Sequence, residues 1–213
     1  MCFGLRHNRN RFAFCRGLCL AVRARQPRGT MPDRSFLFLT SSARAGGNSE
    51  SLARAAAAHL PQATPQVWID LASAGLPGFH DRRGDAPEPL TGHMAEIAAE
   101  MQAASDIVLV APVYWYALPA PAKLLLDHWS GWLDLPQLGF GDWIRARRLW
   151  LITTRADPAP DVADLPEAMV RRTAEWLQMA WGGALHGIAD GPGEIEADPA
   201  AQAAARHFLA KPR

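Results

Sequence analysis

The chain has 213 residues and a formal net charge of +1 at pH 7, with 49% hydrophobic and 20% charged residues. This length and composition are typical of one globular domain with a full hydrophobic core. The charge is uneven, because residues 1–30 contain seven arginines and no acidic residue. Residues 31–213 therefore hold 15 of the 22 basic residues and all 21 acidic ones, a net charge of −6 that argues against nucleic acid as a partner.

Residues 1–30 form a basic leader whose composition differs from that of the rest of the chain. All three cysteines lie there: Cys2, Cys15 and Cys19. Their crowding fits neither a disulfide framework nor a metal site. The apolar stretches are short and interrupted by Arg16, too short and too charged to span a membrane, and no convincing cleavage pattern marks a targeting peptide. We interpret residues 1–30 as a disordered leader or a mis-assigned start before Met31, and expect residues 31–213 to form one cytoplasmic domain.

From residue 35 onward, apolar runs of strand length alternate with helical segments. The predicted strands cover residues 35–40, 66–70, 106–112, 147–154 and 182–191. The predicted helices cover residues 49–60, 91–104, 121–132, 165–180 and 199–210. This alternation predicts a flavodoxin-like α/β sandwich of three layers, with a five-stranded parallel sheet in the order 2-1-3-4-5 and helices on both faces. Ligands of such a sheet bind beyond the carboxyl ends of the strands, so the loops after the first, third and fourth strands are the candidate site.

The first of these loops is contained in the stretch SSARAGGNSE, residues 41–50, which follows a buried strand and runs into a helix. Glycines allow several backbone N–H groups to surround one anion, and the helix dipole favours negative charge there. Ser42, Asn48 and Ser49 add side-chain donors, and Arg44 adds charge. The pattern favours a phosphate site, but Asn48 or Ser49 acting as an ordinary helix cap would explain the same residues.

Two common nucleotide motifs are missing from this loop. No lysine follows the glycines, as a Walker loop requires, and the G-x-G-x-x-G spacing is absent. Asp70 ends the second predicted strand, but without that spacing a dinucleotide site of the Rossmann kind is disfavoured.

The loop after the third strand reads PVYWYALPAP, residues 112–121. Its three adjacent aromatic residues, Tyr114, Trp115 and Tyr116, stand where the chain turns at the sheet edge, so they cannot all belong to the core. Exposed aromatic faces of this kind suit a planar ring ligand, although packing of one or two of them against neighbouring helices is the simpler alternative.

The two loops together resemble the flavodoxin-like NAD(P)H-dependent FMN reductase and quinone reductase family. The resemblance rests on S-x-R-x-G-G-N-S at 42–49 and on P-V-Y-W-Y-x-x-P-A-P-A-K with the following L-L-L-D at 112–127, and it extends in element order over residues 35–210. It implies that Ser42, Arg44, Asn48 and Ser49 hold the FMN phosphate. It also implies that the isoalloxazine ring is bordered by Pro112, Val113, Tyr114 and Trp115.

The loop after the fourth strand departs from the family pattern. Family members often place glycines there, whereas this chain reads TTRADPAP at 153–160. Thr153, Thr154 and Arg155 are the expected substitutes at the flavin ring, with Arg155 supplying positive charge near N1 and O2.

By this resemblance the reaction is hydride transfer from NAD(P)H through flavin N5 to a small acceptor such as a quinone, an azo or nitro compound or a flavin. No side chain has to act as nucleophile, and Tyr114 is a possible proton donor. The histidines show no metal spacing, so no metal is expected. A flavodoxin-like electron carrier and a flavin-free binding or regulatory module remain as alternatives.

Tryptophans cluster between residues 129 and 150. Trp129, Trp132 and Trp143 follow or lie on the third predicted helix with few neighbours to cover them, and exposed aromatic surface often marks an interface. Together with the family resemblance, they predict a homodimer.

Overall fold

The structure is a computed structural model that describes residues 34–81 and 88–210. Within these residues the chain forms five strands, six α-helices and two short 3-10 turns. The strands are β1 (Phe36–Thr40), β2 (Gln66–Asp70), β3 (Asp106–Pro112), β4 (Arg148–Arg155) and β5 (Ala180–Ile188). The helices are α1 (Asn48–Ala57), α2 (Gly92–Ala103), α3 (Ala120–Leu133), α4 (Phe140–Ile144), α5 (Asp164–Trp176) and α6 (Pro199–Phe208). The 3-10 turns cover Pro160–Ala163 and Glu194–Ala197.

All five strands pair in parallel in the order β2-β1-β3-β4-β5. The predicted flavodoxin-like fold is therefore confirmed. The order reverses between β1 and β3, because the chain leaves β1 for β2 on one side and returns to β3 on the other. That reversal opens a crevice at the carboxyl ends of β1 and β3.

Two apolar layers cover the sheet, one on each face. Leu37 and Leu39 of β1 face the layer formed with α2, α3 and α5, whereas Phe36 and Phe38 face the layer formed with α1 and α6. Because β1, β3 and β4 are buried on both faces, they read in the sequence as continuous apolar runs.

The carboxyl-terminal half differs from the prediction in the bounds of its last elements and in one additional helix; β5 ends at Ile188 rather than at residue 191, and α6 at Phe208 rather than at residue 210. The predicted helix 165–180 ends at Trp176, and β5 begins at Ala180, two residues before the predicted start. The reason is Gln178, whose φ of +58° ends the helical path and turns the chain into the sheet. Short α4 was not predicted, because five residues carry too little periodicity to indicate a helix.

The tryptophans at 129, 132 and 143 lie around one phenylalanine. Trp129 and Trp132 are each only 2% exposed, and the rings of Trp129, Trp132 and Trp143 lie 5.7, 5.4 and 5.0 Å from the ring of Phe140. The prediction that they form an exposed interface is wrong, because α4 covers them with Phe140. Within the described residues, no helix combines the length and apolar character that a membrane crossing requires.

The predicted leader, residues 1–30, lies outside the described residues. The proposed division at residue 31 therefore stays a prediction.

Candidate functional site

The three candidate loops meet at the carboxyl edge of the sheet. Ser41 follows β1, and its N–H and hydroxyl both donate to the Val110 carbonyl of β3, at 3.0 and 3.2 Å. Val113 follows β3, and its N–H donates to the Thr154 carbonyl of β4 at 2.8 Å. The loops after β1, β3 and β4 are thus joined by backbone contacts into one surface.

The glycine loop, residues 41–47, leads into α1 without a side-chain cap. Gly47 is the N-cap residue, and no side chain accepts a hydrogen bond from the first turn. The alternative that Asn48 or Ser49 caps this helix does not hold. The first-turn N–H groups of α1 and its positive dipole end therefore face the loop. The Glu50 carboxylate lies at this end and accepts from the Gly46 N–H at 3.1 Å, so it leaves the first-turn N–H groups without a side-chain acceptor. Helices α2 to α5 also begin without a side-chain cap, whereas at α6 Asp198 accepts from the N–H groups of Ala200 and Ala201.

The local geometry explains why positions 46 and 47 of this loop are both glycine. Gly46 has a φ of +64°, a conformation that side chains disfavour. A Cβ at Gly47 would lie 3.0 Å from the Ser42 hydroxyl, so the loop closes tightly around that hydroxyl. The Ser42 oxygen accepts from the Arg44 N–H at 3.1 Å, and Arg44 itself is exposed. Ser42 and Arg44 are therefore on the surface of the loop, where an anion could reach them.

Asn48 and Ser49, also predicted to bind phosphate, are buried and already engaged. The Asn48 amide donates to the Gly191 carbonyl at 2.9 Å, and its oxygen accepts from the Gly193 N–H at 3.0 Å. The Ser49 hydroxyl lies 2.6 Å from the Thr154 hydroxyl. These two side chains bind α1 to the loop after β5 and to β4.

The aromatic turn, residues 114–117, projects from the end of β3. Tyr114 and Ala117 are paired, and Trp115 and Tyr116 between them have φ values of +50° and +61°. Trp115 is 94% exposed, Tyr116 55% and Tyr114 42%. The expectation that these aromatics cannot all be core is confirmed, because all three face solvent beside the crevice. Pro112 and Val113, also predicted at the ring, are half-buried directly before the turn.

The predicted ring contacts after β4 lie deeper than expected. Thr153 and Thr154 are 1% and 3% exposed. Arg155 donates from Nε to the Ala159 carbonyl at 3.1 Å and from an Nη to the Pro158 carbonyl at 3.4 Å, so its guanidinium folds onto its own loop. Arg155 is more exposed than Thr153 and Thr154.

Thr153 faces the opposite side of the sheet from Thr154, next to His186 of β5. The His186 ring contacts the Glu167 carboxylate through Nε2 at 2.8 Å. The Thr153 hydroxyl and the His186 Nδ1 are both buried, and neither has a hydrogen-bond partner in the part of the chain that the structure describes. Thr153 is thus a buried polar residue just below the site.

Sequence reasoning missed the loop after β5, which supports the site through Asn48. Burial raises the pKa of the Asp198 carboxyl, but the N–H donors of Ala201, Ile188 and Ala200 outweigh it and hold that pKa below its ordinary value. The N–H groups of Asp190 and Gly191 likewise lower the pKa of Glu194. The pair Asp198-Pro199, a cap followed by proline at the first helical position, is the sequence signal that indicates this anchored loop.

No group of three or more histidine, cysteine, aspartate or glutamate side chains that could hold a metal ion occurs within residues 34–81 and 88–210.

The uncapped helix end and the exposed aromatic turn fit the two ends of a phosphorylated flavin. The N–H groups at the start of α1, with Ser42 and Arg44, suit a phosphate, and the faces of Trp115 and Tyr116 suit a flat ring. No curated protein matches the sequence. Residues 35–138, which contain both features, match the family model described as NADPH-dependent FMN reductase.

Solved structures with the same fold have low sequence identity to this chain. One is the Trp repressor binding protein from Bacillus subtilis, with a TM-score of 0.67 and 18% identity, covering 84% of this chain and 99% of that one. Another is the NAD(P)H:quinone oxidoreductase from Methanothermobacter marburgensis, with a TM-score of 0.61 and 16% identity, covering 84% and 98%. A third is an FMN-dependent NADH-azoreductase from Bacillus anthracis in complex with FMN, with a TM-score of 0.55 and 14% identity, covering 83% and 100%. The predicted family resemblance is confirmed, and with it FMN as the cofactor and NAD(P)H as the co-substrate.

Proposed function

We propose that this chain, an NAD(P)H-dependent FMN oxidoreductase by its match to the NADPH-dependent FMN reductase family, reduces a small planar acceptor such as a quinone. When bound, FMN supplies the hydride chemistry, and the protein supplies binding, orientation and electrostatics. The observation that carries the proposal is the uncapped N-terminus of α1 beside an exposed aromatic turn.

The glycine loop is proposed to hold the phosphate. The backbone N–H groups at the start of α1 and the Ser42 hydroxyl would donate to it, and Arg44 would add a forked, charged contact. Asn48 and Ser49 contribute by fixing the first turn of α1, because their side chains are bound to Gly191, Gly193 and Thr154.

The ring is proposed to lie against the segment after β3. Pro112 and Val113 would border its edge, and Tyr114 and Trp115 would flank its face, with Tyr114 as the candidate proton donor to the reduced acceptor. After β4, Arg155 would reach the pyrimidine side of the ring by leaving the carbonyls of Pro158 and Ala159. Thr153 and Thr154 support this edge from below, since both are buried.

The acceptor is proposed to stack on the exposed aromatic turn. Trp115 and Tyr116 present flat apolar faces to solvent, which suits quinones and azo or nitro aromatics alike. Two of the structural neighbours carry the names quinone oxidoreductase and azoreductase, which supports testing those two acceptor classes first.

A homodimer is proposed through the face formed by α3 and α5. Leu165 and Trp176 of α5 are 65% and 71% exposed, and Leu133 of α3 is 39% exposed, which is unusual for large apolar side chains. Light scattering after gel filtration tests this, with Trp176→Glu expected to give the monomer. A monomeric wild-type protein would refute the dimer.

The acidic, cysteine-free body supports placement in the cytoplasm, which fractionation of cells would test.

The function is tested with the full chain, loaded with FMN and kept without oxygen. Addition of NADPH or NADH should bleach the flavin absorption near 450 nm within the mixing time of a manual experiment, and addition of a quinone should restore it. Flavin that binds but is not bleached would indicate an electron carrier, and absence of FMN binding would refute the enzyme.

The phosphate contact is tested with a matched pair of variants. Arg44→Ala should weaken FMN binding by about tenfold, because one charge-assisted contact is lost. Arg145→Ala removes an exposed arginine before β4, at the opposite edge of the sheet, and should leave FMN binding unchanged. Riboflavin, which has no phosphate, should bind all three proteins equally.

A further inference from the structure

Thr154 connects the glycine loop to the aromatic turn without touching solvent. Its hydroxyl lies 2.6 Å from the Ser49 hydroxyl in the first turn of α1. Its carbonyl accepts from the Val113 N–H, directly before the aromatic turn, at 2.8 Å. Because Thr154 is 3% exposed, it contacts the residues that flank the two binding segments, Ser49 and Val113, rather than the ligand.

The Thr154 side chain is held in one orientation. Gly187 lies opposite it on β5, and a Cβ at Gly187 would come within 3.3 Å of the Thr154 methyl group and 2.3 Å of Ile195 Cδ1. The methyl group therefore packs beside the space at Gly187 that Ile195 fills, and the hydroxyl lies toward Ser49 of α1. Ser49, its partner, is 2% exposed, so water does not compete easily for this contact.

We propose that Thr154 is a positioning residue that sets the distance between the glycine loop and the aromatic turn. This inference rests on the proposed function, because the two segments matter together only for a ligand with a phosphate at one end and a ring at the other. A ligand that spans two half-sites binds well only when their separation matches its own length. Loss of the Ser49–Thr154 contact should therefore weaken the whole ligand more than either half.

The experiment compares three ligands on four variants of the full chain. FMN and riboflavin are titrated by quenching of flavin fluorescence, and inorganic phosphate by NMR shifts of the backbone amides in the glycine loop. Thr154→Val keeps the side-chain shape and removes the hydroxyl, whereas Thr154→Ser keeps the hydroxyl. Ser49→Ala removes the same contact from the other side, and the double variant Ser49→Ala/Thr154→Val tests whether the two residues act as one pair.

We expect Thr154→Val to raise the Kd for FMN by about tenfold, the effect of losing one hydrogen bond that fixes a geometry. Riboflavin and inorganic phosphate should keep their wild-type Kd values to within about twofold, since each half-site is intact. Thr154→Ser should bind FMN like the wild type. The double variant should be no weaker than Thr154→Val, and the visible spectrum of its bound flavin should shift toward that of free flavin.

Several outcomes would overturn the inference. One is wild-type FMN affinity in Thr154→Val. Another is a loss of riboflavin or phosphate binding as large as the loss of FMN binding, which would mean that the substitution damages one half-site rather than the distance between the two. Failure of Thr154→Ser to restore binding would show that the hydroxyl is not what matters. If Thr154→Val does not fold, the binding of FMN, riboflavin and phosphate to Ser49→Ala tests the inference in its place. A wild-type protein that binds no FMN would instead refute the proposed function itself.

Discussion

Tyr114 and Ala117 exchange two backbone hydrogen bonds of 3.0 Å and close a turn whose central residues are Trp115 and Tyr116. Both central residues have positive φ, the backbone of a type I′ turn, in which Asn-Gly is the usual pair. Each bulky residue in that region costs on the order of 1–3 kcal/mol. Because neither aromatic side chain is buried, packing does not explain the strain, and we propose that the strain serves the ring contact proposed above.

We therefore expect replacement of Trp115-Tyr116 by Asn-Gly to stabilise the protein and impair the reaction. The free energy of unfolding should rise by about 1–3 kcal/mol as the strained φ values are relieved. The KM for a quinone acceptor should rise at least several-fold because the stacking faces are lost. Thermal unfolding and steady-state kinetics with FMN-loaded protein measure the two effects.

Val67→Thr is the control for this change. It alters another exposed apolar side chain, near the start of β2 and away from the carboxyl edge where the aromatic turn lies. Its quinone KM should stay at the wild-type value. If the Asn-Gly variant keeps the wild-type KM, the turn has no role in acceptor binding.

Glu50 places a negative charge next to the proposed phosphate position. Its carboxylate accepts from the Gly46 N–H at 3.1 Å and from Arg54 at 3.0 Å. Glu50→Gln keeps an acceptor for Gly46 and removes the charge, so repulsion of a phosphate should fall by about 1 kcal/mol and FMN affinity should rise about fivefold. Fluorescence titration at low salt measures the change.

The electrostatic origin of this effect has two checks. Raising the salt concentration to 0.5 M should shrink the gain, because exposed charges are screened. Glu175→Gln, on the opposite face of the sheet, should not change FMN affinity. A gain that appears equally with riboflavin would contradict a phosphate contact at the glycine loop.

Asp106 makes folding stability depend on acid pH. Burial raises the pKa of this carboxyl, but hydrogen bonds from Arg34, Ser105 and Trp150 outweigh burial and hold the pKa below its ordinary value. A lowered pKa means that the stabilisation is fully present above about pH 4 and is lost as the pH falls through the folded-state value. Urea unfolding between pH 6 and pH 2 should show this decline.

Asp106→Asn should be less stable than the wild type at pH 6 by about 3 kcal/mol, because Arg34 keeps a charge without its carboxylate at 2.6 Å. The difference between the two proteins should shrink as the pH is lowered below 4. Asp134→Asn, at an exposed position after α3, should follow the wild-type curve. A constant difference at every pH would contradict the assigned charge on Asp106.

Gly182 is the extra residue of a bulge where β5 pairs with Leu149 and Trp150 of β4. A Cβ there would lie 2.1 Å from the Trp150 ring, which is fully buried and cannot move aside. Gly182→Ala should therefore destabilise the protein by about 1–3 kcal/mol or more. Gly131→Ala in α3, with its nearest atom 3.9 Å away, should stabilise it by up to about 1 kcal/mol. Equal melting temperatures for these two variants would contradict the packing at Trp150.

The sequence alone was sufficient for the fold and for the position of the three candidate loops at the carboxyl edge of the sheet. The predicted strands 66–70 and 106–112 coincide with β2 and β3, because short apolar runs between breakers indicate strands of a parallel sheet. Alternation of strands and helices then limits the topology, and the topology places the loops at one edge. The exposure of the aromatic turn also follows from its place after a strand.

What each side chain does was decided by the tertiary structure. Asn48 looks like a cap or a ligand in sequence, but its partners lie 143 and 145 residues further along the chain. Ser49 meets Thr154 across 105 residues, and Trp129 is buried because α4 brings Phe140 over it. The local sequence carries the hydrophobic periodicity and the helix- and strand-breaking residues that determine where the strands and helices lie. Contacts between residues so far apart exist only once the helices pack on the sheet, and they determine which polar groups are left for a ligand.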